Sequence, residues 1–204
     1  MIAGSNFLAY GTTQRLANRL GADDREGAAD VGVQATWLAL FIGCAAAPLL
    51  ALFAEPLALA LGASDDVGGF ATTYLRISAL GGPCVIVGLA AQGVQRGASD
   101  YRSALVVLVA ANVVNAAVEL VLVFGFDLGV AGAAWSTVVA QVGAGVALWW
   151  RARPHVLARS TRRPMWSEMG PLISAGRHLL LRVTAMLVVI TGTTSLAARV
   201  DDAT

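Results

Sequence analysis

The segment Ser103–Trp150 reads SALVVLVAANVVNAAVELVLVFGFDLGVAGAAWSTVVAQVGAGVALWW, and its only charged side chains are Glu119 and Asp127. A helix needs about 20 mostly apolar residues to cross the hydrocarbon core of a bilayer. The segment contains two such runs, Ser103–Phe126 and Leu128–Trp150, which are separated by a tight turn. Neither run shows the period-two alternation of a membrane β-strand. The segment therefore predicts two consecutive membrane-spanning helices.

The rest of the chain has the same character. Of its 204 residues 57% are hydrophobic and 13% are charged, whereas a soluble domain is typically about 25% charged. Further apolar runs long enough to span are Val31–Phe53, Val67–Gln95 and Leu172–Ala198, while Met1–Gln14 is too short and leads into a polar link, Arg15–Asp30. The fold class predicted is an all-α, multi-pass membrane protein without a soluble domain.

Glycine and proline punctuate the run Val67–Gln95 and its end. Gly81, Gly82 and Pro83 are consecutive and should bend or break the helix there. Gly93 and Gly97 form a small-xxx-small pair, which allows two membrane helices to approach closely.

The arginines predict the orientation in the membrane. The links with arginine alternate with links that carry only acids, and the positive-inside rule places the former in the cytoplasm of a plasma-membrane protein. The arginine links contain Arg15, Arg19 and Arg25, then Arg96 and Arg102, then Arg151, Arg153, Arg159, Arg162 and Arg163. The last group lacks interleaved aromatic residues, so it fits anionic lipid headgroups rather than a nucleic acid.

Ionisable and polar side chains within membrane helices are candidates for function. Asn112, Asn115 and Glu119 follow helical spacing and so share one helix face. One carboxyl group and two amides can form a proton or Na⁺ site, and the structural alternative is a neutral Glu119 bonded to a neighbouring helix. Arg76 needs a partner, such as Glu119, a carbonyl group or a water-filled cleft, unless it extends to the interface. Gln92, Thr137 and Gln141 can line a cavity or bond between helices.

Four segments together resemble the multidrug and toxic compound extrusion (MATE) family of transporters, and in particular its DNA-damage-inducible F branch. They are NVVNAAVELVLVFGFDLGVAGAAWSTVVAQ at 112–141, GVQRGASDYR at 93–102, RLGADDREGAA at 19–29 and YLRI at 74–77. The resemblance implies two lobes of six helices, of which this chain holds part of helix two through helix seven. Residues 1–150 would form an incomplete N-terminal lobe, 151–169 the cytoplasmic loop between lobes, and 170–204 the first helix of the C-terminal lobe.

The resemblance also implies a cation site. The family's asparagine and acid, four residues apart, match Asn115 and Glu119. Ala133, through its backbone, and Thr137 match the contributors from the next helix. Tyr74 and Gln92 match polar residues near the cavity, to which we add Arg76 and Gln141, with Asn112 beside the ion site. The family usually has Asp where this chain has Glu119, which favours proton exchange, with Na⁺ as the alternative coupling ion.

The function expected is cation-coupled efflux of a small organic compound, without enzyme activity, cofactor or nucleic-acid partner. Such activity would require the C-terminal lobe. A lipid-linked oligosaccharide flippase of related fold is a second hypothesis, and a truncated remnant without transport activity is a third. A flippase cavity should be lined with cations to meet pyrophosphate, and few intramembrane basic residues are available here.

Overall fold

The structure of the chain, a computed structural model, describes residues 2–60 and 65–156 together with the single positions 164, 169, 170 and 174. Every regular element in this part of the chain is helical. The elements are α1 (Ile2–Gly21), α2 (Arg25–Leu52), α3 (Ala54–Ala60), α4 (Asp65–Ala79), α5 (Gly82–Gly97), α6 (Tyr101–Leu120), a π-helical turn (Val121–Gly125) and α7 (Gly129–Val156).

The predicted spans are confirmed within the described residues. Three helices are long and apolar enough to cross a membrane: α2, α6 with its π-helical turn, and α7. The bent pair α4 and α5 makes a fourth if it is taken as one span. The predicted span Leu172–Ala198 lies outside the described residues.

The predicted break between α4 and α5 is also confirmed, with a bend of 54°. Pro83 has no amide hydrogen to donate, so the helix cannot continue its regular bonding there. The first turn of α5 is held between α2 and α7, because Gly43 faces the Cα atom of Pro83 and Gly145 faces the carbonyl oxygen of Cys84. A side chain at either glycine would overlap backbone, so close packing fixes the position of the bend.

α5 is the central helix and packs against α1, α2 and α7. Its contact with α1 uses the predicted glycine pair. A Cβ atom at Gly93 would lie 2.7 Å from the carbonyl oxygen of Ala9, and one at Gly97 would lie 2.9 Å from Cδ2 of Leu16. The expected close helix contact through Gly93 and Gly97 is therefore confirmed.

α6 lies at the edge of the bundle. Its buried residues are only Ser103 and Ala104, both in its first turn. The helix packs mainly against α7 and leaves the rest of its surface exposed. Because α6 is peripheral, only the part of its polar face that lies towards α7 can contact the bundle.

Helix occupies most of the polar stretch Arg15–Asp30. α1 runs to Gly21 and α2 begins at Arg25. The side chain of Asp24 caps α2 by accepting a hydrogen bond from the Gly27 amide at 2.8 Å, and Nη1 of Arg19 donates to it at 2.6 Å. The cap satisfies a free amide in the first turn of α2, so this helix can begin within a polar stretch.

Two further differences concern links. The stretch between the predicted spans Val31–Phe53 and Val67–Gln95 contains a helix, α3. α7 continues past Trp150 to Val156, so the beginning of the segment assigned to the loop 151–169 is helical. The predicted tight turn near residue 127 is confirmed: Asp127 and Gly129 have positive φ values of 56° and 50°.

Candidate functional site

One turn of α7 carries two adjacent hydroxyl groups. Ser136 and Thr137 each donate a hydrogen bond to the carbonyl oxygen of Ala133, at 2.8 and 2.9 Å. Such bonds satisfy a hydroxyl inside an apolar helix. Both oxygens keep a free lone pair that can face a neighbouring helix.

These two hydroxyls connect α7 to its neighbours on both sides. Oγ of Ser136 also lies 3.3 Å from Oδ1 of Asn115 on α6, which is the alternative acceptor for its single hydroxyl proton. Oγ1 of Thr137 lies 3.3 Å from the phenolic oxygen of Tyr74 on α4, in a bond in which either atom can donate. The structure thus brings together four residues predicted for the site: Tyr74, Asn115, Ala133 and Thr137.

Sequence reasoning missed Ser136, although it is fully buried and contacts Asn115. The available signal was its position beside Thr137 in an otherwise apolar helix. The family resemblance drew attention to the threonine alone.

A cavity of about 360 Å³ lies between α5, α6 and α7 next to these bonds. Most of its lining consists of small or aliphatic side chains. Its polar lining residues are Gln92, Asn112, Asn115, Thr137 and Gln141, all of which were predicted for the site. The cavity has the composition usual for organic ligands, which is mainly apolar with a few polar groups.

The cavity amides differ in how far their hydrogen-bonding capacity is used. Nδ2 of Asn112 donates to the carbonyl oxygen of Leu108 at 2.8 Å. Oε1 of Gln92 accepts from Nη2 of Arg96 at 3.1 Å. Oε1 of Gln141 is buried and has no hydrogen-bond partner among the described residues. An acceptor without a partner is costly in a dry environment, and this oxygen lies against Gly81.

Glu119 is separate from this group. It is exposed one helical turn beyond Asn115, and it does not line the cavity. The π-helical turn begins two residues later, at Val121. Within the described part of the chain its carboxyl group has no hydrogen bond or ion pair. The helix face predicted from spacing is therefore divided, with both asparagines at the cavity and the acid at its edge.

Arg76 is not brought to the cavity either. Its Nη2 atom lies 3.7 Å from Oε2 of Glu55 on α3, and both side chains are more than half exposed. The sequence suggested Glu119 as one partner for Arg76, but the partner observed is Glu55. The acids of the link that contains Glu55 were noted in the sequence, but none of them was considered as the partner of Arg76.

No group of three or more His, Cys, Asp or Glu residues that could hold a metal ion occurs in the described residues. The oxygen atoms gathered near α7 are amide, hydroxyl and carbonyl oxygens. These are ligands that alkali cations accept, whereas a transition metal prefers imidazole or thiolate.

Long apolar helices enclose a cavity with a few polar groups, and they define the chain as part of a multi-pass helical membrane protein. A family model described as MatE matches residues 1–121. The chain belongs to the MATE family, as the sequence resemblance indicated.

Relatives occur in plants and bacteria. The chain is 36% identical over 129 residues to Protein DETOXIFICATION 44, chloroplastic, of Arabidopsis thaliana, in an alignment that covers 63% of the chain and 25% of that protein. It is 34% identical over 139 residues to DNA damage-inducible protein F of Escherichia coli, covering 66% of the chain and 29% of that protein. With Multidrug export protein MepA of Staphylococcus saprophyticus it shares 28% identity, over 67% of the chain and 30% of that protein.

Solved structures agree on the fold. A crystal structure of MATE in the bent conformation matches with a TM-score of 0.81 at 23% identity and covers 93% of the chain and 43% of its own. An inward-facing MATE transporter of the MOP superfamily matches with a TM-score of 0.74 at 24% identity, over 86% and 41%. The chain therefore spans about a third or less of these curated relatives and less than half of the solved transporters.

Proposed function

We propose that these residues form part of a secondary active efflux transporter that takes up a cation, preferably H⁺, in exchange for an organic compound. In this proposal residues 1–150 belong to the N-terminal lobe, 151–169 connect the lobes, and 170–204 begin the C-terminal lobe. The arginine-bearing ends of the helices face the cytoplasm, and the protein resides in the plasma membrane. The proposal of efflux is supported by the similarity to Multidrug export protein MepA, whose name describes multidrug export.

The observation that carries the proposal is the cavity between α5, α6 and α7. Polar side chains from three helices converge on it, although the same helices are otherwise apolar enough to span a bilayer. Polar groups at membrane depth are costly unless they face protein or a water-filled cavity. Binding of a transported compound explains why such groups are kept there.

The coupling ion is assigned to the α6–α7 contact. The amide of Asn115, the hydroxyl of Thr137 and the carbonyl group of Ala133 lie next to one another, and the carboxyl group of Glu119 is one turn away. A proton bound by Glu119 neutralises the only acid of this helix face. Loss of that charge would alter how α6 sits against α7 and so favour one access state over the other. Na⁺ is the alternative ion, since the same oxygen atoms can coordinate it.

The lining of the cavity favours an organic substrate over a lipid-linked oligosaccharide. A pyrophosphate group needs cationic partners, but no Arg or His lines the cavity in the described residues. Arg76, the intramembrane cation considered for this role, is paired with Glu55. An amphipathic or cationic small molecule suits the apolar walls and the amide and hydroxyl groups among the lining residues.

The test measures efflux of a fluorescent cationic dye from energised cells that express a full-length transporter containing these residues. Glu119→Gln should reduce proton-coupled efflux at least about tenfold, because a permanently neutral side chain cannot exchange a proton. Glu119→Asp restores the residue type usual in the family and should retain efflux.

Glu26→Gln is the matched control. Glu26 is an exposed acid in the first turn of α2, so its replacement removes the same charge far from the cavity and should leave efflux unchanged. Equal, ion-coupled efflux by wild type and Glu119→Gln would reject the proposed ion role. Absence of transport by the full-length protein under all ion gradients would reject the proposed efflux function.

A further inference from the structure

A second groove follows the opposite side of the contact between α6 and α7. Its volume is about 300 Å³, and only valine, alanine and glycine line it. Val106, Ala110 and Gly143 are exposed along its length. A groove of this composition on the outside of a membrane helix pair meets lipid chains rather than water.

On each of the two helices, a basic residue lies one helical turn beyond the groove, at the same end. Arg102 precedes Val106 by one turn on α6, and Arg151 follows Ala147 by one turn on α7. Nη2 of Arg151 donates to Oγ of Ser103 at 2.9 Å, which joins the two helices at this end of the groove. The groove thus ends at a polar corner with two arginines.

Aromatic residues mark the same level of α7. The guanidinium carbon of Arg153 lies 4.5 Å from the ring centre of Trp150, whose side chain is 62% exposed. Exposed tryptophan next to arginine is typical of the boundary between hydrocarbon and headgroups. The corner therefore lies at headgroup depth.

The charge of the corner remains positive after its acid is counted. Asp100 accepts a hydrogen bond from the Ser103 amide at 3.1 Å and offsets one positive charge. Arg102, Arg151 and Arg153 together exceed it. An anion of the membrane interface fits both the charge and the depth of this corner.

We propose that the α6–α7 groove is a binding site for an anionic phospholipid, with the phosphate at Arg102 and Arg151 and one acyl chain between the helices. The positive corner provides the charge complementarity, and the apolar groove continues from it into the bilayer. This inference does not depend on the proposed transport activity.

Native mass spectrometry of the detergent-solubilised chain tests the site with equal amounts of dioleoylphosphatidylglycerol and dioleoylphosphatidylcholine. The chain should retain phosphatidylglycerol preferentially. Arg102→Gln should reduce that preference about fivefold, the usual effect of one interfacial arginine. Arg25→Gln, which removes an exposed arginine from the first turn of α2, should not change it. Because Arg102 is exposed, its replacement tests the site without disturbing packing.

A second variant tests the groove without altering charge. A Cβ atom at Gly143 would meet no atom within 4 Å, so Gly143→Leu adds a bulky side chain to the groove lining at an open backbone position. It should weaken phosphatidylglycerol binding severalfold. Gly69 is equally open on α4, and Gly69→Leu should leave binding unchanged.

Four outcomes would overturn the proposal. The first is equal retention of both lipids, and the second is equal loss of preference in Arg25→Gln and Arg102→Gln. The third is full binding by Gly143→Leu with competition by inorganic phosphate, which would indicate an anion site without an acyl chain. Dimers that carry no lipid would likewise assign the groove to a second copy of the chain.

Discussion

At the scale of single residues, the hydroxyl of Thr137 serves two helices. It donates to Ala133 within α7 and contacts the phenolic oxygen of Tyr74 on α4. Thr137→Val keeps the shape of the side chain and removes both bonds. We expect the free energy of unfolding in detergent to fall by about 0.6–1.7 kcal/mol, the range for interhelical hydrogen bonds in membranes.

Thr73→Val is the control for that substitution, since the exposed hydroxyl of Thr73 bonds only to the Gly69 carbonyl oxygen of its own helix. It should change stability little. A double-mutant cycle of Thr137→Val with Tyr74→Phe isolates the contact between the two hydroxyls. Additive effects of the two substitutions would show that this contact contributes nothing.

Asp100 provides a residue-scale prediction for pH. Hydrogen bonds from Ser103, through its side chain and its backbone amide, lower the pKa of Asp100 below its ordinary value of 3.8. A carboxylate with a lowered pKa contributes stability above its unfolded pKa and loses it as the pH falls through the folded pKa. As the pH falls below about 4, the wild-type melting temperature in detergent should therefore decline by more than that of Asp100→Asn.

The comparison with Asp100→Asn separates charge from capping, because asparagine also caps helices well. Both proteins should have similar melting temperatures only at the acidic end of the range. A parallel decline of the two curves would show that the Asp100 carboxyl group does not carry this pH dependence.

At the scale of helices, Gly93 tests the contact between α1 and α5. A Cβ atom at this position would lie 2.7 Å from the Ala9 carbonyl oxygen, which belongs to backbone and cannot move aside easily. Gly93→Ala should destabilise the chain by about 1–3 kcal/mol through overpacking. Gly143→Ala, where the added methyl group meets open space, should be neutral or stabilising by up to about 1 kcal/mol. Equal melting temperatures of the two variants would contradict the close packing of α1 and α5.

The positions of the helices were predicted correctly where they depend on hydrophobicity. Runs without charge located the spans, and the residues Gly81 to Pro83 located the bend, because both depend on local chemistry. α3 was missed, since its packing against α4 is tertiary. The π-helical turn after α6 was missed for a similar reason: its geometry depends on α7, where Gly132 lies against the Leu122 backbone.

The sequence predicted which polar residues line the cavity, but it predicted their arrangement only in part. Spacing and family resemblance selected the cavity residues Gln92, Asn112 and Gln141, which three helices bring together. Spacing also placed Glu119 on the same face as Asn115, yet the cavity ends before it. The reason is the peripheral position of α6, which a helical period cannot reveal.

At the scale of the whole molecule, the described residues combine a tightly packed part with a loosely covered one. α5 is buried among α1, α2 and α7 through small side chains, whereas α6 contacts the bundle along one side. The polar residues lie where these two parts meet. A movement of α6 against α7 would therefore change the cavity without disrupting the core around α5.

The orientation proposed for the whole bundle rests on its arginines and can be tested with single cysteines. In a Cys44→Ser, Cys84→Ser background, Glu26→Cys reports the arginine-bearing end and Phe126→Cys the opposite end, and both positions are exposed. The positive-inside rule predicts that a membrane-impermeant maleimide labels Phe126→Cys in intact cells. Glu26→Cys should react only after the cells are broken, since its thiol would face the cytoplasm. Labelling of Glu26→Cys but not Phe126→Cys in intact cells would invert the orientation, and the basic corner at Arg102 and Arg151 would then meet lipids of the outer leaflet.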